Sequence, residues 1–206
     1  MRSMTIFARA FFAAALVALV LAVPAVSQSR SEEEAEHNAE VARMAADPAL
    51  SEAANAAFLA NNIKQQGVLH RPSGLQYKIL QNGFGGHPGG ADTVEVYYTG
   101  KLINGKVFDG TSPGLPASLQ VSQVVPGWVE ALQLMRVGDH WTIWIPANLG
   151  YGARGHPDGE VPIPPNQTLI FDLRLLSTRP PPKVGEPGCA SDPDCSKAAS
   201  QQQEGQ

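Results

Sequence analysis

The stretch VEVYYTGKLINGKVFDG, from Val94 to Gly110, decides how this chain is read. Val94, Val96 and Tyr98 alternate with Glu95, Tyr97 and Thr99. A period of two places alternate side chains on opposite faces and marks a half-buried antiparallel strand. Asn104-Gly105, set between Lys101-Leu102-Ile103 and Lys106-Val107-Phe108, predicts a hairpin with a two-residue loop. That loop pairs Gly100 with Asp109. Tyr98 and Asp109 then share a face as diagonal neighbours, close enough for the phenol to meet the carboxylate. The same parity sends Phe108 to the other face. Only a bulge or a strong twist would return it to the Tyr98 side.

Outward from the hairpin, the alternation recurs at Leu75, Tyr77 and Ile79, at Trp141, Ile143 and Ile145, and at Leu169, Phe171, Leu173 and Leu175. Trp141 and Trp144 face opposite sides of their strand and read as packing. One segment has helical spacing instead. Pro126 opens it, Trp128, Ala131, Leu132 and Met135 fall on one face, and Gly138 lies just beyond its end. The predicted fold class is α+β: an antiparallel sheet of five to six strands wrapped around one helix, over residues 72–178. Ahead of it, residues 28–71 form a helical N-terminal extension. Ser31 with Glu34 suggests a capping box, Asp47-Pro48 restarts the chain, and Gly67 closes the second helix. The apolar face of these helices is thin (Met44, Leu50, Phe58, Leu59, Ile63). They need a docking partner, either the main domain or a second copy of the chain.

The two ends have their own signatures. Arg2 and Arg9 precede an uncharged apolar run to Val26, followed by an A-x-S exit near Ser27, so residues 1–27 are expected to be an export signal. Loss of those residues takes the formal charge from −4 to −6. An acidic chain without a basic stripe argues against nucleic acid as a partner. Residues 179–206, rich in Pro, Gly, Ser and Gln, read as a disordered tail. Both cysteines lie there, Cys189 and Cys195. An exported location favours a small local disulfide between them over a zinc site shared with Asp192 and Asp194.

No set of nucleophile, base and acid emerges. The five histidines, at 37, 70, 87, 140 and 156, are scattered, without metal-ligand spacing. No phosphate-cradling glycine loop precedes a lysine. What remains is a concentration of apolar and aromatic residues beside loops: Tyr98, Phe108, Val124, Val125, Trp128, Tyr151, Ile163 and Phe171. Taken singly, each reads as core.

Taken in order, four motifs carry more. VEVYYTGKLINGKVFD at 94–109, QVVPGW at 123–128, LGYGARGHP at 149–157 and IPPNQTLIFDLRLL at 163–176 resemble the FKBP family of peptidyl-prolyl cis–trans isomerases. The segment from Asn55 to Lys78 resembles the approach to the catalytic domain in the Mip-like bacterial branch. The resemblance implies an enzyme without cofactor or metal that turns X-Pro bonds in exported polypeptides, with the periplasm as its place. It implies Tyr98, Phe108, Asp109 and Tyr151 as catalytic. Val124, Val125, Trp128, His156, Ile163, Phe171 and Leu119 would bind substrate, Trp128 as the floor. Ala117 and Leu119 stand where many family members carry phenylalanine, which widens the rim. The macrolides tacrolimus and rapamycin are the expected inhibitors. The long dimerising arm of the branch is shortened here, leaving a homodimer through the N-terminal helices and a monomer both open.

Overall fold

The computed structural model describes residues 23–182, in two compact units that divide between Glu40 and Val41. Most of the expected export segment, and the tail with Cys189 and Cys195, lie outside the described residues. The first unit carries most of helix α1, Val23–Ala45. Position 31 falls inside this helix, so the start expected at Ser31 is displaced toward the amino terminus.

The second unit begins with the end of α1 and a single 3-10 turn, Pro48–Leu50. The Asp47 carboxylate caps that turn by accepting the Ala49 amide at 2.9 Å. Ser51 then caps α2, Glu52–Asn62, by accepting the amide of Ala54 at 3.3 Å. Two caps four residues apart split what the sequence suggests as one helix. Met44 and Leu50 are buried in the same core as the sheet. Within this unit the end of α1, the turn and α2 dock on the main domain, one of the two partners that the thin apolar face called for.

The sheet has seven strands, all antiparallel. They are β1 (Leu69–His70), β2 (Gln76–Gln81), β3 (Thr93–Lys101), β4 (Val107–Gly110), β5 (Ala117–Gln120), β6 (His140–Ile145) and β7 (Leu169–Arg179). Their order is β1-β2-β6-β7-β3-β4, with β5 also on β3. The expected five to six strands become seven because β1 is a two-residue strand and the edge beside β3 is made in two pieces. β5 covers the first half of β3, from Val96 opposite Ala117 to Thr93 opposite Gln120. β4 covers the second half, and residues 111–116 loop out between them.

Helix α3, Pro126–Leu134, follows the edge and buries Trp128, Ala131 and Leu132. Its first turn lies very close to β6, since a Cβ at Gly127 would come within 2.5 Å of Ile145 Cγ2. No larger residue fits there unless Ile145 or the helix shifts. That close approach sinks Trp128, the next residue, until 4% of it is exposed. On β6 the alternation is strict: Trp141, Ile143 and Ile145 are buried while Trp144 is half-buried on the other side.

The hairpin that opened the sequence reading is built differently from expectation, and two differences cancel. The loop has three residues, Ile103-Asn104-Gly105, since Leu102 N–H donates to Lys106 O at 2.9 Å and Gly105 has φ +87°. That shifts the pairing by one. A bulge at Phe108 shifts it back, because Lys101 faces Val107 while Gly100 faces Asp109. The expected Gly100–Asp109 pair is therefore present. The bulge is also what rolls Phe108 onto the Tyr98 side.

Candidate active site

Four aromatic rings form the base of the site, each brought by a different element. Tyr98 comes from the centre of β3, Phe108 from the bulge of β4, Trp128 from the first turn of α3 and Phe171 from β7. Trp128 meets Phe171 edge-to-face at 5.1 Å and Tyr98 at 5.2 Å. Phe108 meets Phe171 edge-to-face at 5.6 Å, and Tyr98 leans on Phe171 at 6.2 Å. Each such pair contributes about 0.5–1.5 kcal/mol beyond burial, so the cluster is rigid enough to hold a shape. Gly100 lies beneath two of them. A Cβ there would meet Phe171 Cε1 at 2.6 Å and Phe108 Cζ at 2.8 Å. The rings rest on bare backbone.

Over this base opens a cavity of about 270 Å³. Tyr98, Phe108, Trp128 and Phe171 line its depth, with Leu119, Val124 and Val125 on the flank and Asp109, Gln123 and Tyr151 at the polar side. The site lies where the edge of the sheet is interrupted. β4 supplies Phe108 and Asp109 from one side of the gap and β5 supplies Leu119 from the other.

The polar groups are few and held. The Tyr98 hydroxyl donates to Asp109 Oδ2 at 2.8 Å, and the other carboxylate oxygen accepts the Gly110 amide at 2.8 Å. Burial, then the hydrogen bond to Asp109 and its charge, push the Tyr98 phenol well above the usual tyrosine range. Burial first, and the Asp109 charge second, also raise Tyr151. Both phenols stay protonated at neutral pH, and that of Tyr98 donates to Asp109. Tyr151 stacks on the His156 ring at 4.9 Å with planes 11° apart, which fixes its ring orientation.

Nine of the eleven residues expected from the sequence line this cavity. Two do not. Ile163 is 3% exposed and sits in the core, its N–H and C=O paired with those of His156 at 3.0 and 2.8 Å. His156 is exposed and reaches the site only as the stacking partner of Tyr151. The short ladder between these two residues turns Ile163 inward and leaves the imidazole behind the tyrosine. Gln123 lines the cavity and escaped the sequence reading, although it precedes Val124 in the same motif.

The comparisons with known proteins point to one family. The family model described as FKBP-type peptidyl-prolyl cis-trans isomerase matches residues 85–176, and that of the domain amino terminal to it matches residues 7–79. A peptidyl-prolyl cis-trans isomerase crystal structure from Pseudomonas syringae is 33% identical, with 61% of this chain covering 91% of that one at TM-score 0.56. FkpA from Escherichia coli is 34% identical over 78% of this chain and 70% of that one, at TM-score 0.59. The outer membrane protein MIP of Legionella longbeachae is 53% identical over 60% of this chain and 52% of its own length. The chain spans about half the length of the curated relatives it matches. It belongs to the FKBP-type peptidyl-prolyl cis–trans isomerase family. The relatives it matches at 40–53% identity include Mip and FkpA proteins.

Proposed function

We propose that this protein is a peptidyl-prolyl cis–trans isomerase acting on exported polypeptides as they fold. The observation that carries the reading is an aromatic cavity, lined by Trp128, whose one acidic side chain accepts a tyrosine hydroxyl. Rotation about a peptide C–N bond meets a barrier of about 18–20 kcal/mol, because resonance gives that bond partial double character. At the crossed midpoint the resonance is gone and the carbonyl is less polarised. A dry cavity gripping the proline ring disfavours the planar, more polar ground state more than the crossed one, and so lowers the barrier. Phe108, Trp128, Val124, Val125, Leu119 and Phe171 supply the grip. Tyr151, protonated and unshared with Asp109, supplies a donor for the substrate carbonyl. Asp109 holds Tyr98 in its rotamer. No proton leaves the substrate, so no general base is needed.

Tacrolimus and rapamycin are expected to occupy the same cavity. Export to the periplasm through residues 1–27, and a homodimer through the amino-terminal helices, complete the reading. Light scattering on the full chain and on one lacking residues 1–40 tests the dimer. The activity is tested by refolding a reporter whose slow phase is a trans-to-cis proline step, a process of tens to hundreds of seconds uncatalysed. Acceleration that tacrolimus abolishes supports the proposal. Delayed aggregation without faster refolding refutes it in favour of a holding chaperone.

A further inference from the structure

We propose that Asn55 on α2, with Gln167, forms a positioning latch for the cavity, fixing from behind the turn that carries Tyr151. The proposal rests on the isomerase reading, because Tyr151 matters only as the donor to substrate.

Asn55 is 3% exposed, as is Gln167. The Asn55 amide nitrogen donates toward Leu50 O at 3.1 Å, Ser51 O at 3.0 Å and Gln167 Oε1 at 3.2 Å. Its carbonyl accepts the Thr168 amide at 2.7 Å. Gln167 in turn donates to Leu50 O at 2.8 Å and Pro165 O at 2.9 Å. Every polar atom of the two side chains is engaged, and the bonds from Asn55 to Gln167 and Thr168 and from Gln167 to Leu50 join segments more than 110 residues apart. An apolar pair would bury α2 as well at lower desolvation cost, so what this pair adds is a defined geometry.

The geometry it defines is that of residues 165–168. Asn166 has φ +60°, the one non-glycine in the left-handed region among the described residues. Such a conformation costs on the order of 1 kcal/mol and persists only where the surroundings impose it. Here Gln167 and Thr168, both gripped by Asn55, follow it directly. In that pose the Asn166 amide donates to Gly152 O at 2.9 Å. Gly152 follows Tyr151, and Phe171 lies three residues past Thr168 on β7. The latch therefore sits on the chain segment that joins two walls of the cavity, without touching the cavity itself.

The test uses the full chain with Asn55→Ala, and Leu175→Ala as a control. Leu175 is a buried core residue four positions past Phe171 on β7 and does not line the cavity. Two readouts are taken: amide hydrogen exchange at Asn166, and kcat/KM on a proline peptide. In Asn55→Ala the Asn166 amide is expected to exchange at least about tenfold faster while Leu173 stays protected, and kcat/KM to fall about five- to tenfold, mainly in kcat. Leu175→Ala is expected to lower the melting temperature at least as much yet keep the wild-type kcat/KM. If Asn55→Ala does not fold, Gln167→Ala is read in the same way. Wild-type exchange at Asn166 together with wild-type kcat/KM in the latch variant overturns the proposal. So does an equal loss of activity in the Leu175 control. A wild-type protein with no isomerase activity removes the functional reading instead, and the Asn166 exchange still decides the latch.

Discussion

Gly100→Ala places a methyl group beneath the two rings that wall the cavity, and its effect follows from competing magnitudes. Replacing glycine by alanine where the backbone permits it stabilises by about 0.4–1 kcal/mol through the unfolded chain. Gly100 is not in the left-handed region, so that gain applies. Against it, the new Cβ would lie 2.6 Å from Phe171 Cε1 and 2.8 Å from Phe108 Cζ. Comfortable carbon contacts are about 3.5–4.0 Å, so both rings must retreat by roughly 1 Å. Overpacking of this kind costs about 1–3 kcal/mol, which outweighs the gain. The expected net loss is about 1–2 kcal/mol, a fall in urea midpoint of roughly 0.5–1 M for a slope near 1.5–2 kcal/mol/M. Activity should suffer more than stability, because a 1 Å displacement of positioning groups can cost on the order of 100-fold in rate. Denaturant titration and a protease-coupled peptide assay read the two effects. The double variant Gly100→Ala/Phe108→Leu should recover part of the stability, since one ring is gone. A Gly100→Ala protein as stable and as active as the parent would show that these rings do not rest on the backbone as described.

Other outcomes follow from the same geometry. Phe108→Ala and Tyr151→Ala should each lower the isomerisation rate about tenfold or more with the domain still folded, as judged by circular dichroism; unchanged rates in both refute the site. Tyr151→Phe, which removes only the hydroxyl, should lose about three- to tenfold, the worth of one modest hydrogen bond. Stability should fall as pH rises above about 10, where unfolded tyrosine ionises. Tyr98 and Tyr151, raised in the folded state, contribute fully below that pH and lose their contribution as pH climbs through their native values. Asp109→Asn should weaken this alkaline dependence and bring Tyr98 down toward its ordinary value in an ultraviolet titration. Leu119→Phe should narrow the rim and tighten tacrolimus binding about two- to tenfold, the scale of one added aromatic contact.

The sequence carried the fold wherever one period ruled a whole element. β6 keeps its alternation from end to end, and most buried residues of β3, β7 and α3 were readable in advance; Ile170, buried between Leu169 and Phe171, breaks the period of β7. The Tyr98–Asp109 contact was readable too, but for an incomplete reason. A two-residue loop and a three-residue loop with a bulge give the same Gly100–Asp109 pair, and parity alone cannot separate them. Only the bulge explains Phe108. His156 and Ile163 stand off the cavity lining because their orientation is set by a two-residue ladder within a loop, which leaves no period. The attachment of α2 stayed hidden because Asn55 and Gln167 lie 112 residues apart and polar pairs leave no pattern along the chain.

The break in the sheet edge between β4 and β5 has an evolutionary consequence. Residues 111–116 leave the ladder after one side of the cavity is built and rejoin it before the other begins. Insertions there would reshape the entrance while every β3 pairing and the whole interior kept their places. The rim of the cavity can thus vary by loop length, uncoupled from the residues on which folding depends.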